Sequence, residues 1–176
     1  MDVSKAAVHK STVHLLRAIG YDVVVPEEQG CCEALHVHSG DRITARELVE
    51  TNRQASAEHN FDLVVTNAAG CSTQLKDYHH LFPKNDPGHS KDWKGLSSKI
   101  VDILELLSWH PEEVTQLSWQ QDEDVLLYNA PCNLMHTQKI DANPRQLANS
   151  LPGVKLMPLT ESNWCCGSRH LQFTLA

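Results

Sequence analysis

Apolar residues near the start of the chain fall on a helical stripe, with Val8, Leu15, Leu16 and Ile19 in line and Val13 beside them. Gly20 follows where a left-handed C-cap is wanted, so a helix is expected over residues 5–19. The period then shortens. Tyr21-Asp22-Val23-Val24-Val25 is a β-branched run stopped by Pro26 and predicts a buried strand. Ile43, Ala45, Leu48, Val49 and Ala55 return to helical spacing over Arg42–His59, with Asp41 placed to cap the helix. A strand over 61–66 and a helix over 72–82 come next. Leu96, Ile100, Ile103, Leu104 and Leu107 give the clearest helical spacing in the chain, between Gly95 and Trp109. Pro111 opens a short turn, residues 124–128 read as a third strand, 144–151 as a short helix and 154–159 as a fourth strand.

Strands alternating with helices predict an α/β fold, with parallel strands flanked by helices. The stretch Pro83-Lys84-Asn85-Asp86-Pro87-Gly88-His89-Ser90-Lys91 is polar and rich in turn formers, which makes it the natural boundary. The expectation is two pseudo-repeated lobes, residues 1–85 and 86–176.

Composition narrows the function. The formal net charge is −7 and no Lys/Arg block occurs, which argues against a nucleic-acid surface. No apolar run is long enough to span a membrane. Met1-Asp2-Val3-Ser4-Lys5 lacks the charged-then-apolar pattern of a secretory signal. A cytoplasmic location is expected, with peripheral attachment at the inner face of the cell membrane as its variant. In a reducing compartment, cysteine spacing more often means metal or catalysis than disulfides.

The six cysteines form one scheme. Between Cys32 and Cys71 lie 38 residues, and between Cys132 and Cys165 lie 32. Each group follows an expected strand, and ligands in open α/β sheets collect at strand carboxyl ends. Adjacent cysteines rarely bond to each other without strain, because their Cα atoms are held about 3.8 Å apart. They can instead aim two thiolates at one centre while distant thiolates complete it. An iron–sulfur cluster uses such soft ligands. Zinc is the alternative, although the Cys-x2-4-Cys knuckles usual for structural zinc are missing. Reduced, buried cysteines acting as small hydrophobes remain the plainest reading. Gly70 ahead of Cys71 is suited to a sharp turn and close backbone approach.

Four ordered motifs resemble the cysteine-rich CCG domain family. They are Gln29-Gly30-Cys31-Cys32-x-Ala34-Leu35-His36-x-His38-x-Gly40-Asp41, Gly70-Cys71-x-x-x-Leu75-Lys76-x-Tyr78, Pro131-Cys132-x-Leu134-x-His136 and Cys165-Cys166-Gly167-Ser168. The match is most similar to the iron–sulfur subunit of glycolate oxidase. Lactate-utilisation proteins and a heterodisulfide reductase subunit share the domain. The resemblance implies an electron-transfer subunit that is not itself the catalyst. Cys31, Cys32, Cys71, Cys132, Cys165 and Cys166 would bind an iron–sulfur cluster, of 4Fe-4S type. FAD-binding subunits oxidising glycolate to glyoxylate would supply electrons, and a respiratory acceptor would receive them.

The chain departs from the family pattern at several points. The resemblance implies a cysteine before Met1 and another beyond Ala176, so a chain truncated at both ends is expected. Arg169–Thr174 stands where the family continues Ala-Gly-Thr-Tyr, which suggests a change of reading frame after Ser168. Glu33 stands where a glycine is expected, adding a side chain and a negative charge beside the first pair. His36, His38 and His136 lie near the motifs as spare ligands or as ordinary loop residues, and Trp164 as a shield or a packing residue. Lys76 and Tyr78 are expected at the surface and in the core respectively.

Overall fold

In the computed structural model the protein is described over residues 2–82, 85, 93–119 and 124–164. The elements run α1 (Asp2–Ala18), α2 (Ala34–Ser39), α3 (Arg42–Ala57), β1 (Val64–Thr66) and α4 (Ala69–Lys76), followed by a 3₁₀ turn at Tyr78–Leu81. A helical turn whose described part is residues 93–97 is α5. Then come β2 (Ile100–Asp102), α6 (Ile103–Leu107), α7 (Pro111–Thr115), β3 (Asp124–Leu127), a π-helical turn at Asn133–Thr137, α8 (Ala142–Ser150) and β4 (Val154–Met157). β1 pairs with β2 and β3 with β4, in two two-stranded parallel sheets. The α/β class expected from the alternation is what the chain adopts.

Two compact units divide these elements. One combines Met1–Val25 with Asp102–Asn163, and the other is built on Pro26–Val101.

The first unit is organised around Leu107, Val114 and Leu147, against which Leu15, Ile19, Ile103, Trp119 and Leu151 pack. Gly20 ends α1 as its position implies. Its φ is +98°, the Gly20 N–H donates to the Arg17 carbonyl and Tyr21 N–H to that of Leu16. This is the Schellman pattern, in which a left-handed residue lets two orphan carbonyls be satisfied. β3 and β4 run in register, Asp124 opposite Val154 through Leu127 opposite Met157. Val125, Leu126 and Leu127 are nonetheless exposed.

The second unit has a core of Val49, Tyr78, Leu81 and Trp93, with Val37, Leu75, Phe82 and Leu96 around it. Phe82 stacks on Trp93 at 4.7 Å and Tyr78 meets it edge-on at 5.8 Å. α3 matches its expected span, and Asp41 Oδ1 accepts the Thr44 N–H at 3.1 Å as its cap. Ala45 and Val49 are fully buried as expected, whereas Ile43 is 74% exposed and Leu48 lies at the surface.

Two expected elements are corrected. Residues 21–25 form no strand, and Val24 and Val25 are exposed. A β-branched run makes a strand only when another strand offers its backbone groups, and none among the described residues pairs here. The helix expected over 95–109 is interrupted by β2, where Ile100, Val101 and Asp102 are all buried. A short apolar run buried on both faces suits parallel pairing, and its spacing alone does not tell it from a helix. Asp102 then caps α6, accepting the Leu104 N–H at 3.0 Å, so the helix restarts one turn before Leu107.

Candidate thiolate site

The first cysteine pair does not follow a strand, since residues 21–25 are not one. It sits in the loop that enters α2, and Glu33 is the residue that turns the loop into the helix. Glu33 has φ +62° and ψ 16°, in the left-handed region, and is buried. That conformation normally selects glycine, because a Cβ there crowds the backbone. The glycine that the motif leads one to expect is therefore absent from a position whose backbone still has the glycine shape. The Glu33 carboxylate bonds His36 Nδ1, one turn along α2.

Cys71 comes from the other side of the unit. It lies in the first turn of α4, just past β1. Gly70 is helical here and not a left-handed turn residue, so its expected role is corrected: the turn is made by Asn67 and Ala68 ahead of the helix. α4 buries Ser72 and Gln74, with Ser72 Oγ donating to the Ala69 carbonyl at 3.0 Å.

The three thiols lie close enough to interact in series, Cys31 with Cys32 and Cys32 with Cys71. Interaction with Cys71, and then burial, raises the Cys32 thiol, and the same interaction draws Cys71 down. Burial also raises Cys31, which in turn contacts Cys32. Cys31 is exposed, Cys32 and Cys71 half-buried, and all three are free thiols.

Two side chains hold the loop from behind. Asn52 on α3 accepts the Gly30 N–H and donates to the Cys31 carbonyl, both at 2.7 Å. Tyr78 Oη donates to the Cys32 carbonyl at 3.3 Å and accepts from Asn52 Nδ2 at 3.2 Å. Tyr78 is core, as expected, and also a contact of the cysteine loop. Asn52 was not legible from the motifs, and its only signal is a carboxamide at the helical spacing of the face that Ala45, Val49 and Ala55 bury.

Cys132 belongs to the first unit. Half-buried, it precedes the π-helical turn anchored by the fully buried Leu134, whose N–H donates to the Pro131 carbonyl at 2.9 Å. The Ala130 N–H donates to the Ser162 carbonyl at 3.1 Å, which brings the end of the described chain beside the Cys132 loop. Cys165 and Cys166 lie outside the described residues, as does the 169–174 stretch. Trp164 is 66% exposed and does not pack. His38 and His136 are exposed.

In kind, the Cys31–Cys32–Cys71 set fits a thiolate-bound iron–sulfur cluster: soft donors, one of them readily ionised, at the edge of a buried core. In number it is one short of the usual four protein ligands. Among the described residues no three His, Cys, Asp or Glu side chains already surround a single metal position. The sulfurs form a series that a bound centre would draw together.

No solved structure matches the chain. It is 34% identical to the probable glycolate oxidase iron-sulfur subunit of Bacillus subtilis, covering 96% of this chain and 37% of that protein. It is 28% identical to a subunit of the CoM/CoB fumarate reductase of Methanothermobacter marburgensis, over 96% of this chain and 31% of that one. Lactate utilization protein A of an Exiguobacterium species is 30% identical, over 92% of this chain and 64% of its own. The chain thus spans about a third of the length of the first two. The model of the cysteine-rich domain matches residues 1–76 and 126–173, taking in both cysteine pairs and both single cysteines. With its thiols so placed and so matched, the chain belongs to the cysteine-rich CCG domain family.

Proposed function

We propose that the chain is an iron–sulfur electron-transfer polypeptide, part of a glycolate-oxidase-type iron–sulfur subunit, with two repeats at 1–85 and 86–176. Cys31, Cys32 and Cys71 would serve one repeat and Cys132, Cys165 and Cys166 the other. The observation that carries this reading is the Cys31–Cys32–Cys71 series, in which sulfurs from two separate elements meet beside a buried core. The Ala130–Ser162 hydrogen bond supports a second set, because Ser162 is three residues ahead of Cys165.

A bound cluster, of 4Fe-4S type, supplies one-electron transfer. The chain's own part is to hold thiolates in place and to keep water from one side of them. The electrons come from an FAD-binding subunit that oxidises glycolate to glyoxylate and leave to a respiratory acceptor. Among the described residues no helix is long and apolar enough to cross a membrane, so the reading places the chain in the cytoplasm or on the inner membrane face through its partners.

Anaerobic reconstitution with ferrous iron and sulfide, followed by visible and electron paramagnetic resonance spectroscopy, tests the proposal. A brown protein with a paramagnetic reduced signal is expected. Stoichiometric zinc uptake without colour would replace the proposal with a zinc-stabilised interaction module. Glycolate is separated from lactate by reconstituting with each flavin subunit and following substrate-dependent reduction of the bound centre.

A further inference from the structure

The loop carrying Cys31 and Cys32 does not hold itself. Its backbone is gripped by a side chain 21 residues further on, Asn52, and through it by Tyr78. The Asn52 carboxamide presents an acceptor to the Gly30 N–H and a donor to the Cys31 carbonyl, as a second peptide group would. Tyr78, held by the Trp93 core, fixes the next carbonyl, that of Cys32. Three consecutive residues are therefore tied down from one side.

Core stability does not explain this arrangement. Gly30 and Cys31 are exposed, and their peptide groups would be satisfied by water if released. Nor does close packing at Gly30 demand it, since an added Cβ would meet only Asn52 Oδ1, at an ordinary 3.7 Å. What the contacts do fix is the direction of the Cα–Cβ bonds at the two cysteines. With both carbonyls held by Asn52 and Tyr78, the backbone that sets the two side chains is held too, and the Cys32 thiol lies close enough to Cys71 and Cys31 to interact with each.

We infer that Asn52, braced by Tyr78, is a positioning residue for the thiolate site: it sets the Cys31 and Cys32 side chains towards Cys71 before any iron arrives. This rests on the reading that these three sulfurs are cluster ligands. Preorganisation of this kind removes ordering cost at the moment of binding, so it acts on how firmly a centre is held rather than on whether the chain folds.

The test uses the full chain, metal-free and reduced, as wild type, Asn52→Ala, Asn52→Asp and Tyr78→Phe. Alkylation of each cysteine by iodoacetamide is followed by mass spectrometry, with Cys132 as internal reference, alongside thermal unfolding. Each protein is then reconstituted with ferrous iron and sulfide, and iron loss to a chelator and the reduced paramagnetic signal are recorded. Losing a hydrogen bond of ordinary strength predicts Cys31 and Cys32 alkylation about tenfold faster in Asn52→Ala. Cys132 stays near wild type, and the unfolding temperature falls by no more than a few degrees. Iron loss quickens by a similar factor and the reduced signal broadens.

Asn52→Asp, which keeps the acceptor for Gly30 but loses the donor, falls between. Tyr78→Phe affects Cys32 more than Cys31. Wild-type alkylation and chelation rates in Asn52→Ala overturn the inference, as does an equal rise at Cys132 with a collapsed unfolding temperature, which marks a merely structural contact. A wild-type chain that takes up no iron removes the cluster reading alone, because the alkylation rates still decide whether Asn52 orients the thiols.

Discussion

Cys71 and Cys132 stand at equivalent places, each five residues beyond a strand, 66 to 71 and 127 to 132, and each at the start of a helical turn. Their surroundings differ. Around Cys71 a second segment closes the site: the Cys31–Cys32 loop is pinned by Asn52 and Tyr78, and the neighbouring strand β2 is buried throughout. Around Cys132 the described structure offers the Pro131–Leu134 turn, the Ala130–Ser162 backbone bond and a side-chain bond from Arg145 Nη2 to Ser162 Oγ at 3.3 Å, beside a sheet in which Val125, Leu126 and Leu127 face solvent. Strand, loop and cysteine at a helix start thus place one sulfur. Assembling several takes tertiary side chains that grip the other loop.

That contrast breaks most readily at the core behind the first site. Trp93→Ala should cost about 3–5 kcal/mol, since it empties a fully buried site flanked by Tyr78 and Phe82. Denaturant unfolding measures the loss. The expected companion is faster alkylation at Cys31, Cys32 and Cys71 with Cys132 little changed; equal acceleration at Cys132 would show that the two regions do not differ in their support.

Acidity sharpens the comparison next. In the metal-free protein, the pH midpoint for Cys71 alkylation should lie below the ordinary thiol value of 9.0, because its interaction with Cys32 favours the thiolate, while Cys32 reacts more slowly over the same range. Cys32→Ala removes that interaction and should move the Cys71 midpoint upwards. An unmoved midpoint would mean that the two sulfurs do not interact.

Glu33 gives a smaller, signed effect. A left-handed residue with a Cβ costs roughly 1–2 kcal/mol, partly offset by the greater backbone entropy glycine loses on folding. Glu33→Ala keeps that strain and loses the His36 contact, whereas Glu33→Gly relieves the strain. The glycine variant should be more stable than the alanine variant by about 1 kcal/mol. Reversed order in chemical denaturation would show that position 33 is not strained.

How much of this could be read from the residues alone depends on how local the determinant is. The Gly20 cap, the Asp41 cap and the inward face at Ala45 and Val49 follow from neighbours three or four positions apart, and they stand as the pattern implies. The 21–25 run and Ile100–Asp102 misled for one reason: whether a short β-branched segment is a strand depends on a partner distant in sequence. The three cysteines of the first site were legible as a group, but the clamp was not. Asn52 acts across 21 residues and carries no motif, and only the packing of α3 beside the loop gives it a role. Glu33 was visible as a departure, but its left-handed backbone was not, because φ at one residue has no sequence period.

The finest distinction between the two regions is Tyr128, one residue past β3. Its Oη is buried without a hydrogen-bond partner among the described residues, while the Arg145 guanidinium lies 4.9 Å from the ring centre. Tyr78, in the other region, bonds through its hydroxyl to the Cys32 carbonyl and to Asn52. Removing the two hydroxyls should therefore have opposite signs. Tyr78→Phe leaves a carbonyl and an amide short of a partner and should destabilise by about 1 kcal/mol. Tyr128→Phe keeps the ring under Arg145 and discards a desolvated hydroxyl that makes no bond, so it should be neutral or stabilising by up to about 1 kcal/mol. Burial holds the Tyr128 phenol above its usual range, so both forms stay neutral at pH 7 and the comparison is free of charge effects. Paired denaturation curves of the two variants decide it, and a Tyr128→Phe chain that unfolds as early as Tyr78→Phe would mean the second region hides a polar contact equal to the first.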